Sequence, residues 1–230
     1  MRILAVGPHP DDIEFSCAPL LIQEVRKGNQ VRVVLLTRGE ASTAGTPAGR
    51  EQEARAAAAV MGVEIDFLEM GGDCHLRHSP EGSMAIAREI RKFQPQIVLA
   101  PHPDENQHPD HVAAARMVRD SARLARYGGL MELRELPQHS IDNLYFYSIT
   151  QTMLPNPDIV IDVSGIELQW NAAMACHKSQ MKTKGYVHLV QTRARALGAS
   201  IGVELAVGLW VNEPVRVAAL SDLTLSSRNY

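Results

Sequence analysis

Short apolar runs alternate with longer amphipathic stretches along the whole of this chain. The apolar runs, rich in Val, Ile and Leu, predict strands at residues 3–7, 31–37, 63–68, 97–100, 144–147 and 159–163. The amphipathic stretches predict helices at residues 20–27, 47–61, 83–93, 109–126 and 165–178. Thr46 and Ser164 are typical helix caps, and Gly28 and Gly62 are typical of helix ends.

The alternation of strands and helices indicates one α/β domain spanning residues 1–230. Because the predicted strands are apolar almost throughout, we expect a Rossmann-like, mostly parallel sheet with helices on both faces. The common strand order 3-2-1-4-5 would make the first and fourth strands neighbours. The last dozen residues are polar and are expected to fray.

Composition and charge narrow the class of partner. Apolar residues make up 45% of the chain and charged residues 21%, so a large core needs no disulfide to hold it. With a net charge of −3 and no run of Lys and Arg, the chain lacks the footprint of a nucleic-acid-binding protein. No apolar run approaches the roughly 18 to 20 residues that span a bilayer, and no signal-peptide pattern opens the chain. Three widely spaced cysteines fit a reducing compartment, so we expect a cytoplasmic protein.

Two segments dense in histidine and carboxylate follow the first and fourth predicted strands. The first, residues 8–14, reads Pro-His-Pro-Asp-Asp-Ile-Glu, and the second, residues 101–111, ends in His-Pro-Asp-His. In the expected strand order both segments reach the crevice where open parallel sheets bind ligands. We therefore expect the two motifs to form one site.

Imidazole nitrogens and carboxylate oxygens together suit zinc and similar divalent ions. His9, Asp12 and His111 supply the three protein ligands of a catalytic zinc site, which keeps one position for water. A water in that position has a pKa of about 7 and can act as a nucleophile. We expect one Zn²⁺ per chain, with Fe²⁺ as the alternative ion.

Three further side chains of the motifs are candidates for proton transfer and orientation. Asp11 is the candidate general base, because it adjoins a ligand and two neighbouring carboxylates rarely share one ion in a tight turn. His108, when protonated, could stabilise an oxyanion or protonate a leaving amine, and Asp110 could hold an imidazole in its required tautomer. The structural alternatives are a helix cap at Asp11 and a first-turn charge at Asp110.

Other classes of function stay open on these residues alone. A metal-dependent phosphoesterase on a similar sheet would usually use two metals and more bridging carboxylates. A non-catalytic module that binds a sugar or a nucleotide is the second alternative. A dinucleotide site is disfavoured, because no Gly-x-Gly-x-x-Gly follows the first strand.

The two motifs resemble the signatures of the LmbE-like, or PIG-L-like, N-acetylglucosaminyl deacetylases. The resemblance extends to residues 37–40 and 49–54 and to later blocks at 144–147, 178–180 and 202–204, so it covers nearly the whole chain. The most similar branch is the bacterial one that includes the bacillithiol-biosynthesis deacetylases. The resemblance implies hydrolysis of the acetamide of an N-acetylglucosamine conjugate. It leaves the aglycone open among malate, inositol, a chitooligosaccharide and an antibiotic-like group.

The resemblance also implies roles for individual positions. It assigns the metal to His9, Asp12 and His111, the general base to Asp11 and the stabilisation of the transition state to His108. It also adds two substrate-binding residues. These are Arg50, as a substrate contact, and Asp73, as the ligand of a sugar hydroxyl. It further implies a homo-oligomer, since several relatives are hexamers. The chain departs from the family pattern in a slightly longer stretch before His108 and in Leu205, where relatives often have tyrosine.

Overall fold

The computed structural model describes residues 1–104, 108–149, 154, 156–182, 185–223 and 226. Within these ranges the chain forms one sheet flanked by helices. The strands are β1 (Arg2–Gly7), β2 (Gln30–Leu35), β3 (Glu64–Phe67), β4 (Ile97–Pro101), β5 (Asn143–Tyr147), β6 (Ile159–Asp162) and β7 (Ala206–Val211). The α-helices are α1 (Ala18–Arg26), α2 (Pro47–Met61), α3 (Pro80–Phe93), α4 (Pro109–Arg126), α5 (Glu167–Met174) and α6 (Tyr186–Ile201).

The strands follow the order β3-β2-β1-β4-β5-β7-β6. The first five of these are parallel, which confirms the predicted order 3-2-1-4-5 and the predicted α/β class. β7 is antiparallel to both of its neighbours and extends the sheet beyond β5. Because β1 and β4 are adjacent, the segments that follow them lie at the same edge of the sheet.

Helices cover both faces of the sheet. Along β1, Ile3 and Ala5 pack into an apolar layer with α1, α2, α5 and α6. The alternate residues Leu4 and Val6 pack into a second layer with α3 and α4. All four side chains are buried, which explains why β1 is apolar at successive positions.

Local signals set most of the helix boundaries. Thr46 accepts a hydrogen bond at the start of α2, and Gly62 ends that helix with a φ of +77°, as predicted. α3 begins before the predicted residue 83, because Ser79 caps it by accepting a hydrogen bond from the backbone N–H of Gly82. α4 has the predicted bounds.

The prediction of a helix capped by Ser164 and running to about residue 178 is wrong. α5 spans only Glu167–Met174, and no side chain caps it. The Ser164 hydroxyl instead accepts a hydrogen bond from the backbone N–H of Leu205. Gly165, with a φ of +79°, turns the chain between β6 and α5.

The pattern of apolar residues does not predict α6 or β7. α6 follows Gly185 without a side-chain cap, so its start carries no local signal. Gly208 breaks the run of large apolar residues in β7, although the strand itself is continuous, and a Cβ atom at this position would come within 2.7 Å of Pro157.

Two expectations fall partly outside the described residues. The longer stretch before His108 includes residues 105–107, and the segment expected to fray includes residues 224–225 and 227–230. Among the helices that the structure describes, none is both long and apolar enough to cross a bilayer.

Candidate metal and catalytic site

His9, Asp12 and His111 come together at the edge of the sheet where β1 and β4 end. His9 and Asp12 lie in the turn after β1, and His111 lies in the first turn of α4. Nδ1 of His9 is 3.1 Å from Oδ2 of Asp12, and Nε2 of His111 is 3.4 Å from Oδ1 of Asp12. All three residues are buried, and one donor atom from each lies within 4.8 Å of the others. A single ion could therefore contact all three.

The second ring nitrogen of His9 faces two other carboxylates. Nε2 lies 3.1 Å from Oδ2 of Asp110 and 3.1 Å from Oδ1 of Asp73. Asp110 is completely buried, and its Oδ2 also accepts a 2.8 Å hydrogen bond from the backbone N–H of Cys74. A proton on Nε2 of His9 would bond to these carboxylates and leave the Nδ1 lone pair directed at Asp12. A carboxylate in this position is typical of metal-binding histidines.

The carboxylates strongly perturb the pKa values of this cluster. Burial alone would lower the pKa of His9, but Asp12, Asp110 and Asp73 raise it to about 12. Burial would likewise raise the pKa of Asp12, but His111 and His9 hold it well below its usual range. Three carboxylates, those of Asp12, Asp73 and Asp110, thus face the buried His9 ring, and a divalent cation would offset their negative charge.

The donor set fits a divalent ion. Two imidazoles and one carboxylate are ligand types that zinc binds, and three protein ligands leave a position open for water. The buried Nδ1 atom of His111 has no hydrogen-bond partner in the described part of the chain. Nε2 of the same ring faces Asp12, so His111 would bind the ion through Nε2.

Asp11 adjoins this cluster but is held apart from it. Its φ of +104° lies in the left-handed region, which a non-glycine residue adopts only where the surrounding structure enforces it. Its Oδ1 lies 3.3 Å from Nη2 of Arg50, and the side chain is 20% exposed. Burial and the adjacent Asp12 carboxylate raise the pKa of Asp11 to about 7, although Arg50 acts in the opposite direction.

Arg50 is buried, and its guanidinium is engaged by the chain itself. Besides the Asp11 contact, Nη2 donates a hydrogen bond to the carbonyl of Pro10, and Nη1 donates one of 3.4 Å to the carbonyl of Gly39. Arg50 lines the cleft described below, but these contacts orient it toward Asp11. The geometry therefore points to a role in positioning Asp11, in addition to the substrate contact that the resemblance implies.

His108 caps α4 with its own side chain. Its Nδ1 accepts a 3.2 Å hydrogen bond from the backbone N–H of Asp110, so in the neutral ring the proton resides on Nε2. Burial, together with the charge of His9, lowers the pKa of His108. Nε2 lies 3.7 Å from Oδ1 of Asp73 and 3.5 Å from Sγ of Cys74. His108 can therefore donate a hydrogen bond into the cleft.

Asp73 is buried and lies beside His9. Its backbone N–H donates a 2.8 Å hydrogen bond to Glu40, which fixes the Gly-Gly-Asp turn. The hydrogen bond from His9 outweighs burial and lowers the pKa of Asp73 to about 2. The sequence-based assignment of Asp73 to a sugar hydroxyl stays a prediction, because the structure shows contacts to protein groups only.

The site opens into a cleft of about 330 Å³. Its walls include side chains that are not among the site residues predicted from the sequence: Ser42, Thr43, Cys74, Gln180, Tyr186, Leu189 and Arg193. Three of these residues lie on α6, whose start no capping residue in the sequence marks. Gln180 lies in the segment 178–180, which only the family resemblance indicated. Leu205 does not line the cleft; it is completely buried in the core.

Glu14 and His177 form a buried pair near Asp11. Glu14 and His177 are 2% and 0% exposed, and Oε2 of Glu14 lies 3.2 Å from Nε2 of His177. Ser179 lies two residues after His177, and its backbone N–H and hydroxyl donate hydrogen bonds to the Glu53 carboxylate. No pattern in the sequence marks His177 as more than a surface histidine, because its partner lies in a distant motif.

Comparisons with known proteins agree with the fold and the motifs. The diacetylchitobiose deacetylase of Thermococcus kodakarensis is 29% identical over 192 residues, which cover 78% of this chain and 70% of that protein. The solved structure of the conserved protein TT1542 from Thermus thermophilus has a TM-score of 0.84 and 29% identity, and the match covers 94% of this chain and 96% of that one.

The same fold also carries a different activity. GalB, the 4-carboxy-2-hydroxymuconate hydratase from Pseudomonas putida KT2440, has a TM-score of 0.80 and 22% identity, over 95% of this chain and 99% of that one. The family model described as "PIG-L: GlcNAc-PI de-N-acetylase" matches residues 4–122, which include both motifs. Because that match covers more than half of the 230 residues, this chain belongs to the PIG-L family of GlcNAc-PI de-N-acetylases.

Proposed function

We propose that this chain is a zinc-dependent N-deacetylase that hydrolyses the acetamide of an N-acetylglucosamine conjugate. The observation that carries the proposal is the separation of Asp11 from the cluster of His9, Asp12 and His111. A carboxylate held beside a set of metal ligands, but outside it, has the position of a general base. Family membership and the similarity to a diacetylchitobiose deacetylase support the choice of substrate class.

In this proposal His9, Asp12 and His111 hold the ion, and Asp110 orients the His9 ring. When bound, the ion polarises the acetamide carbonyl and lowers the pKa of a water to about 7. We propose Zn²⁺, one per chain, because two imidazoles and one carboxylate suit it, and Fe²⁺ is the alternative.

Asp11 transfers the proton in this mechanism. Its carboxylate takes a proton from the water as the water oxygen attacks the acetamide carbon. The proton then passes to the amine nitrogen as the carbon–nitrogen bond breaks, so that acetate and the free amino sugar leave. Arg50 supports this step by keeping the Asp11 carboxylate in one orientation.

His108 and Asp73 act on the substrate. The proton on Nε2 of His108 is available to the oxygen that gains charge when the acetamide carbon becomes tetrahedral. The Asp73 carboxylate, which faces the same cleft, accepts a hydrogen bond from a sugar hydroxyl. A cleft of about 330 Å³ lies at the small end of the range for ligand sites, which favours a single sugar with a short aglycone over a long polymer.

The experiment that tests this function is an assay for released amine across a panel of substrates. The panel contains N-acetylglucosamine joined to malate, to inositol and to a second N-acetylglucosamine, and it is run with and without a chelator. We expect amine from at least one member, loss with the chelator and recovery on adding Zn²⁺. The GalB-type unsaturated acid serves as the competing substrate. Hydration of that acid, with no amine from any panel member in the metal-loaded protein, would overturn the proposal.

We further propose that the protein acts in the cytoplasm as a homo-oligomer. The three widely spaced cysteines support the location, and the family resemblance supports the assembly. Light scattering on the purified protein tests the assembly. A mass above that of the monomer is the expected result, with a hexamer as the candidate assembly, and a monomer at all concentrations would contradict the proposal.

A further inference from the structure

Cys74 forms a triangle of potential ligand atoms with Asp73 and His108 at the cleft surface. Sγ of Cys74 lies 3.5 Å from Oδ1 of Asp73 and 3.5 Å from Nε2 of His108. The third side of the triangle, from Oδ1 of Asp73 to Nε2 of His108, is 3.7 Å. A φ of +67° at Cys74 turns its side chain from the Gly-Gly-Asp turn toward the histidine.

The two sulfur edges of this triangle match those of a tetrahedral metal site, and the third edge, at 3.7 Å, is slightly longer than in such a site. Zinc binds sulfur at about 2.3 Å and nitrogen or oxygen at about 2.0–2.1 Å, which at tetrahedral angles separates the ligand atoms by about 3.3–3.6 Å. An ion could thus be bound with small movements of the three side chains. Oδ1 of Asp73 keeps a lone pair for this contact even while it accepts a hydrogen bond from Nε2 of His9.

We propose that Asp73, Cys74 and His108 form a second site for a zinc-like divalent cation, beside the site of His9, Asp12 and His111. A thiolate, an imidazole and a carboxylate favour zinc or cobalt over the oxygen-seeking ions magnesium and calcium. The Cys74 residue is exposed, so an ion can enter from solvent without rearrangement of the core.

The second site must bind its ion more weakly than the first. To present a lone pair at Nε2, His108 must move its proton to Nδ1 and release the hydrogen bond from the backbone N–H of Asp110. The relocated proton then faces Oδ2 of Asp110, now 3.9 Å away. Cys74 must also release its thiol proton to solvent. Both changes reduce the affinity, so the two ions are bound in sequence.

The consequence for activity rests on the proposed deacetylase function. An ion in the second site would occupy His108 and Asp73, the two groups assigned to the oxyanion and to a sugar hydroxyl. One equivalent of zinc would therefore activate the enzyme, and excess zinc would inhibit it. Substitution of Cys74 should relieve this inhibition without removing the activating ion.

Cobalt provides a test that does not depend on activity. The first site contains no sulfur, so a sulfur-to-cobalt charge-transfer absorption reports on the second site alone. We titrate the metal-free protein with Co²⁺ and expect the band to appear with the second equivalent. Cys74→Ser should abolish the band, whereas the matched control Cys176→Ser should keep it. Absence of the band in the wild-type protein would overturn the proposal.

Equilibrium dialysis with Zn²⁺ supplies the stoichiometry. We expect two ions per wild-type chain at high zinc, and a loss of affinity for the second ion of at least about 10- to 100-fold in Cys74→Ser. A single ion at all concentrations, or two ions bound equally well by the variant, would contradict the second site. If two ions bind but no amine is ever released, the second site stands and the deacetylase proposal fails.

Discussion

The guanidinium of Arg50 and the carboxylate of Asp11 form an ion pair, with 3.3 Å between Nη2 and Oδ1. The pair joins the first turns of α2 to the turn after β1. Asp11 has a left-handed backbone conformation and lies beside the metal-ligand cluster but outside it. In the proposed mechanism this contact gives two adjacent aspartates, Asp11 and Asp12, different tasks.

Replacement of Arg50 should therefore affect turnover more than substrate binding. Arg50→Met removes the partner that orients Asp11, and a misplaced catalytic group can cost about 100-fold in rate. We expect kcat to fall by about that factor with little change in KM, measured by amine release. Arg55→Met, on an exposed position of the same helix, is the matched control. A large rise in KM at unchanged kcat would show instead that Arg50 acts by binding substrate.

A substitution at Gly39 tests the contact between Arg50 and Asp11 independently. Its φ is +70°, and a Cβ atom built there would lie 1.8 Å from Nη1 of Arg50. Gly39→Ala should displace the guanidinium and reproduce the kcat loss of Arg50→Met. Gly28→Ala provides the control, since Gly28 has a similar φ of +83° but open space around it. Equal kcat in the two glycine variants would argue against the positioning role.

The buried pair of Glu14 and His177 should contribute strongly to stability. Removing one member of such a pair leaves an uncompensated buried group, and Glu14→Ala should lower the free energy of unfolding by about 3–5 kcal/mol. His78→Gln, which breaks the exposed pair of His78 with Asp120, should cost about 0–1 kcal/mol. Urea unfolding in the presence of a chelator measures both. A similar loss of unfolding free energy in the two variants would contradict a strong contribution of the buried pair of Glu14 and His177.

The same pair predicts how stability depends on pH. Burial lowers the pKa of His177, but the Glu14 carboxylate more than offsets this effect, so the net shift is upward. A histidine whose pKa is raised in the folded state stabilises the fold fully at pH values below its unfolded-state pKa of about 6.5. This stabilisation is lost as the pH rises through the folded-state pKa. The stability difference between the wild type and Glu14→Gln should thus be largest at acidic pH and shrink on the alkaline side. A difference that stays constant with pH would exclude a charged His177.

The sequence carries enough information for the parallel sheet and for the meeting of its two motifs. Apolar strands buried on both faces and the motifs after β1 and β4 are local patterns, and the strand order then brings His9 and His111 together. The environment of Arg50 could not be predicted, because it depends on side-chain direction across a turn and a helix. The wall formed by α6 was missed for a different reason, since neither a cap nor a clear start marks that helix.

The most direct test of the central claim measures bound metal and turnover together in two variants. Asp11→Asn should keep one tightly bound zinc per chain and lose about 10²- to 10⁴-fold in kcat, because it removes the general base and leaves the ligands intact. His111→Ala should lose both the metal and the activity. Full turnover in Asp11→Asn, or undiminished metal binding in His111→Ala, would contradict the assignment of base and ligand to these residues.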